Sequence, residues 1–134
     1  MVKAEYKHLK PDEKAIAERF VKAGLLPGSY EYDVALESPD VRFPAHWTKA
    51  DFEHWSGLRA KRIDVVVTQT DTIWVLEVTP KLSKTSVGGC LTYKEMYIKQ
   101  FSPVQKVRMG IVVEVDDLAY HGVLQQHDIA LWVV

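Results

Sequence analysis

The sequence predicts an α/β fold: one domain over residues 1–134, in the order αβββαβαβ, with a central mixed sheet flanked by helices. Three observations predict it. Apolar stretches of period two and of helical period alternate along the chain. The segments RIDVVVTQ (Arg62 to Gln69) and TIWVLEVT (Thr72 to Thr79) are rich in β-branched residues and are separated by one short turn, which reads as a hairpin. Residues Val107 to Val115 form a near-continuous apolar run, as a strand covered on both faces does.

The elements follow in order. Lys10-Pro11-Asp12-Glu13 opens a first helix, with proline in its first turn and acids at the positive end of its dipole. Ile16, Phe20 and Val21 mark its apolar face, with Ala17 and Ala23, and Gly24 and Pro27-Gly28 end it. Tyr30 to Leu36 alternates as a strand. Residues 37–58 are the least regular part, with Thr48-Lys49-Ala50-Asp51 positioned to open a short helix. After the hairpin, Pro80 is expected to end the second strand and KLSKTS to form a link. Val87, Leu91, Ile98 and Phe101, flanked by Cys90 and Tyr97, then mark one helix face, ended by Ser102-Pro103. The glycines Gly88-Gly89 weaken the first turn by roughly 1 kcal/mol each, so they suit a place where another group approaches the backbone closely. Asp116 to Gln126 reads as a short helix and Ile129 to Val134 as the last strand.

Composition narrows the function classes. The 134 residues are 47% hydrophobic and 26% charged, with 7 Gly and 6 Pro, which excludes disorder, collagen and coiled coil. With 17 Lys+Arg against 18 Asp+Glu, the formal charge of −1 exerts no global pull on nucleic acid, so such binding would need a local patch. One cysteine, Cys90, excludes an internal disulfide and a multi-cysteine zinc site, and it reads as a small buried residue. The five histidines show no paired ligand spacing. The polar N-terminus lacks a signal-peptide core and no run could span a bilayer, so a cytoplasmic protein without membrane association is expected. There is neither a nucleophile elbow nor a phosphate-binding loop.

Two acids inside the apolar strands stand out. A turn at Thr70-Asp71 makes opposed positions of the hairpin sum to 141, which sets Asp64 opposite Glu77. Val66, Val75 and Ile73 then share the face of the acids, and Ile63, Val65, Val67, Trp74, Leu76 and Val78 cover the other. Opposed like charges destabilise a sheet unless a cation lies between them or one acid is protonated. A hard divalent ion takes such oxygen ligands and can activate water against a phosphodiester. Alternatively both acids lie at a wet sheet edge, or Arg62 pairs with them. The residues alone admit both readings.

These residues resemble the PD-(D/E)XK nuclease superfamily (restriction-endonuclease-like and Holliday-junction-resolvase-like folds) over roughly residues 11–115. The family carries an Asp in its second core strand and Glu-x-Lys in its third, matched by Asp64 in RIDVVV and by Glu77 in WVLEVTPK. Gly88-Gly89-Cys90-Leu91-Thr92-Tyr93 is similar to the family's following Gly-Gln-Leu-Leu-x-Tyr helix. The resemblance implies that Asp64, Glu77 and the Val78 carbonyl hold Mg²⁺ or Mn²⁺. It also implies a first-helix glutamate in the metal site, with Glu18 the candidate and Glu13 the weaker one. Two departures stand against activity. The lysine position is Thr79, and the glutamine position is Gly89. Lys81, swung back by a bend at Pro80, is the favoured replacement for the lysine. Arg62, opposite Thr79 in the 141 register, is the alternative, as a phosphate or carboxylate partner, because a guanidinium cannot act as a base.

The expectation is a Mg²⁺-dependent deoxyribonuclease, with Asp64, Glu77 and Lys81 catalytic, or a recent descendant of one. The alternative is a catalytically silent nuclease fold serving as a DNA-binding or assembly component, for instance of a virus or mobile element. Arg59, Lys61, Arg62, Lys84 and Tyr93 are the expected DNA contacts, Lys94, Lys99, Lys106 and Arg108 extend the basic surface, and a homodimer or larger assembly is expected. Trp47, Phe52 and Trp55 are expected to cap the sheet rather than to stack on bases.

Overall fold

The structure, a computed structural model, describes residues 9–37, 45–51 and 61–134. Its elements are α1 (Pro11–Ala23), β1 (Ser29–Leu36), β2 (Lys61–Thr68), β3 (Thr72–Lys81), α2 (Lys84–Phe101), β4 (Lys106–Val115), a 3₁₀ turn (Leu118–Tyr120), α3 (His121–Gln126) and β5 (Ile129–Val133). The strands form one mixed sheet in the order β1-β2-β3-β4-β5. The β1–β2 and β2–β3 pairs are antiparallel, and β3–β4 and β4–β5 are parallel. The expected α/β class and element order hold.

Helices cover both faces. On one, Ile16, Ala17 and Phe20 of α1 pack with Val65, Val67, Trp74, Leu76, Val78 and Val112. Gly24 closes α1 in the left-handed conformation (φ 63°), its N–H donating to the Val21 carbonyl. Ala23, expected on the apolar face, is exposed. On the other face α2 buries Val87, Cys90 and Tyr97, while Ile98 and Phe101 stay 41% and 45% exposed. The buried stripe is therefore turned from the expected one, with Cys90 and Tyr97 at its centre. The Cys90 thiol donates to the Gly110 carbonyl at 3.4 Å.

Two boundaries differ from expectation. Helix α2 starts at Lys84, inside the supposed link, because Ser83 and Ser86 bond each other's backbone N–H in a capping box. Strand β3 runs through Pro80 to Lys81. It follows β4 there, with Thr79 beside Val113 and Lys81 beside Val115. Strand β2 has already parted from β3 at this level, so the N–H that proline lacks leaves no gap in their ladder.

Thr48 and Asp51 exchange side-chain bonds with each other's backbone N–H, opening the expected helical turn at 49. Trp47 is half-buried, while Phe52 and Trp55 lie outside the described residues. Among the described residues no helix is long and apolar enough to cross a membrane.

Beneath α1, Trp132 of β5 packs edge-on against Phe20 and Trp74, at ring separations of 5.3 and 5.4 Å. It lies over Gly110, where an added Cβ would come within 2.4 Å of its Cζ3 and 2.7 Å of Leu76 Cδ2. The Gly110→Ala variant should lose about 1–3 kcal/mol by overpacking. Urea denaturation of the two proteins checks this, and equal midpoints would contradict the packing.

Candidate functional site

Backbone pairing between β2 and β3 runs from Thr68↔Ile73 to Val65↔Leu76, which is the 141 register. The turn closes with Gln69 N–H donating to the Thr72 carbonyl, so alternate pairs outward from it are the hydrogen-bonded ones, and Ile63 with Val78 would be the next. That bond is not made. The Val78 N–H donates instead to Asp64 Oδ2 at 2.9 Å. A side chain thus replaces a main-chain acceptor at the point where the strands separate.

This substitution overturns one expected face. Ile63 packs with Leu36, Val66, Ile73, Val75, Tyr97 and Val107 on the α2 side, not with Val65 and Val67. Strand β1 turns with it. Tyr32 pairs with Val65 and Val34 with Ile63, and between them Asp33 takes a positive φ of 51°. A non-glycine residue there is strained, and aspartate is among those that tolerate it best.

Glu77 is held from the opposite side. Its carboxyl group rests against Gly89 of α2, where an added Cβ would stand 3.3 Å from both Cδ and Oε2. The glycine that departs from the family helix is therefore the close approach that its cost in helix propensity suggested.

Electrostatics sets these groups apart. Burial raises both carboxyl pKa values well above the ordinary range. For Asp64 the Val78 N–H opposes the rise, while Glu13 and Asp33 add to it. For Glu77, Asp64 and then Glu13 add to it. Among the described residues no cation contributes to either. Glu13 is itself raised, chiefly by burial, and its buried Oε2 has no hydrogen-bond partner among the described residues. The Tyr93 phenol is raised by burial, then by Glu77 and Asp64, which places it beside the pair.

Other expected site residues lie elsewhere. Glu18 is exposed on α1, and the acid of that helix that acts on the pair is Glu13. The spacing carried this signal: Glu13 precedes Ile16, Ala17 and Phe20 by three, four and seven residues and so shares their face. Asp33, not singled out from sequence, joins through its kinked backbone. Arg62 does not enter the slot beside Thr79, since it pairs with Ala35 of β1 and its guanidinium donates to the Asp33 carbonyl at 3.3 Å. The Thr79 hydroxyl donates to the Lys81 carbonyl at 3.4 Å. Lys61, Lys81 and Lys84 are exposed, and Arg59 lies outside the described residues. Arg108 is engaged on the Trp74 ring at 4.4 Å and on Asp128 at 3.2 Å, so it does not extend a free basic surface.

Among the described residues no three His, Cys, Asp or Glu side chains form a ready metal cage. A hard divalent cation of the magnesium kind does not need one, because it is bound by one or two carboxylates and keeps several waters. Two half-buried carboxyl groups with no cation acting on them among the described residues, and the Glu13 oxygen that acts on both, fit that donor chemistry.

A scan against protein-family models finds no match, and neither does a search of curated proteins. Among solved structures the chain is similar to the crystal structure of a repair endonuclease from Pyrococcus abyssi. The TM-score is 0.56 at 16% identity, over 98% of this chain and 49% of that one. The chain thus spans about half the length of that structure. The likeness is one of fold: a nuclease-like α/β architecture, consistent with a restriction-endonuclease-like sheet.

Because both folded-state pKa values are raised, the protonated pair contributes stability that is complete below the unfolded value of about 4 and is lost as pH rises through the raised values. Metal-free protein should therefore lose stability from pH 4 into the neutral range. The Asp64→Asn variant keeps an oxygen acceptor for the Val78 N–H but loses the charge, and should be about 1–2 kcal/mol more stable than wild type at pH 8. Thermal unfolding across pH reads both, and an unchanged or lower midpoint for Asp64→Asn at pH 8 would contradict the electrostatics.

Proposed function

We propose that the chain is a Mg²⁺- or Mn²⁺-dependent DNA endonuclease of the PD-(D/E)XK type. The observation that carries this reading is the half-buried carboxyl pair Asp64 and Glu77, on which no cation acts among the described residues, at the separation of β2 and β3 in a nuclease-like fold. A divalent ion at this place would polarise water and a phosphate oxygen.

The chain's own residues supply the rest. Asp64 is oriented through Oδ2 by the Val78 N–H, and its Oδ1 and the Val78 carbonyl would be the donors to the ion. Glu77 is set by the space above Gly89. Glu13 takes the first-helix role expected of Glu18. Tyr93 borders the pair. The exposed Lys81, at the end of β3, is the amine that would have to reach back to support the attacking water. Lys61 and Lys84, with Arg59, contact the phosphate backbone, so binding weakens steeply as salt rises.

A second reading rests on Thr79. The residue two beyond Glu77 offers a hydroxyl already donated to the Lys81 carbonyl, and no cation acts on the pair among the described residues. A catalytically silent nuclease fold, kept for DNA binding or as part of a viral or mobile-element assembly, also has these features.

Cleavage of linear, single-stranded, circular and branched DNA with Mg²⁺ or Mn²⁺ separates the two. Nicking or cutting by wild type, lost by about 100-fold or more in Asp64→Ala and Glu77→Ala, is the outcome expected of the nuclease. Equal inertness of all three on every substrate, with DNA binding intact, selects the silent fold. The Lys81→Ala change should lower the rate while leaving Mn²⁺ affinity unaltered. Mn²⁺ should raise the thermal midpoint of wild type but not of Asp64→Asn.

A further inference from the structure

Among the described residues the sheet has two edge strands, and they differ in how they are protected. At β1, Glu31 and Asp33 put charge on the edge and Asp33 bends it at a φ of 51°. Such devices keep an edge strand from pairing with another chain. Strand β5, Ile-Ala-Leu-Trp-Val, has no charge, proline or positive-φ residue within it. Among the described residues it pairs with β4 and with nothing on its other side.

Its outward groups follow from its ladder. The Val134 N–H donates to the Val113 carbonyl of β4, so alternation sends the N–H and C=O of Ile129, Leu131 and Val133 away from the sheet. These odd positions form a symmetric set. Placed antiparallel about Leu131, two copies of β5 would exchange paired N–H···O=C bonds at Leu131 with Leu131, and at Ile129 with Val133 in both directions.

The flanking charges suit the same arrangement. Asp128, 70% exposed at the side chain and held through one oxygen by Arg108 of its own chain at 3.2 Å, precedes the strand. At the other end a cleft beside Val133 and Val134 is lined by Arg19, Lys22 and Leu25. An antiparallel copy brings Asp128 of each chain toward Lys22 of the other, Arg19 being paired with Glu114 of its own chain at 2.7 Å. It also covers Leu25 and Val133, which are 51% and 54% exposed.

We propose that β5 is a self-complementary edge at which two copies of this chain pair antiparallel, joining their sheets into one. The surface is separate from the carboxyl pair, and its test does not depend on whether the chain cuts DNA.

Sedimentation across a range of concentrations should show a monomer–dimer equilibrium. The Val133→Pro variant removes an outward N–H and leaves the β4 ladder intact, so it should raise the dimer dissociation constant by about 100-fold or more. Should that variant fail to fold, Val133→Lys puts a charge on the exposed edge, and Lys22→Glu sets acid against Asp128 from a solvent-exposed helix position. Both should shift the equilibrium to monomer while circular dichroism stays unchanged. A wild type that remains monomeric at all concentrations overturns the proposal. So does a dimer that all folded variants preserve.

Discussion

The hydrogen bond from the Val78 N–H to Asp64 Oδ2 is the interaction on which the rest of the site depends. Had the Ile63 carbonyl taken that N–H, β2 and β3 would have continued as a flat hairpin with two carboxylates opposed across it. By substituting a side chain for the main chain, Asp64 satisfies the donor and releases the start of β2 to follow β1 over α2. Ile63 then finds its core on the opposite face from Val65 and Val67. The strained Asp33 is the matching bend in the neighbouring strand. Backbone strain of this kind persists where surrounding structure over-determines it, and it concentrates at functional sites.

The same bend accounts for the electrostatics. Separation of the strands opens a place that α1 and α2 border from either side, and both bring something to it. From α1 comes Glu13 rather than a base, and from α2 come Gly89, which leaves room for the Glu77 carboxyl, and Tyr93. Arg62, expected beside Thr79, is turned onto the Asp33 carbonyl. Glu13 and Asp33 therefore act on Asp64, and Glu13 on Glu77, while no basic side chain among the described residues acts on that pair. Folding alone gives no reason to build this, because each desolvated carboxyl lowers stability once ionised.

Outside the site the molecule follows ordinary packing rules. The parallel half of the sheet is buried on both faces, with Ile111, Val112 and Val113 wholly inside. Its density demands Gly110 beneath Trp132. The exposed ion pairs Arg19–Glu114 and Lys99–Glu95 decorate the surface and carry little of its stability.

Much of this was legible in the residues. Period-two and helical apolar patterns determined the α/β class, the element order and the 141 register of the hairpin, because burial couples each side chain to one face and a slip of one residue would expose the core. The register in turn singled out Asp64 and Glu77, and the propensity cost of Gly89 signalled a close approach. Glu13 was legible too, through its spacing from Ile16, Ala17 and Phe20. What the tertiary structure alone decided was where the ladder stops. Whether the Val78 N–H takes a carbonyl or a carboxylate depends on the curvature that β1 and α2 impose together. That contest is between main-chain and side-chain acceptors of similar strength, brought together by packing far apart in sequence, and no local pattern records its outcome. From it follow the turned Ile63, the diverted Arg62 and a carboxyl pair on which no base acts among the described residues.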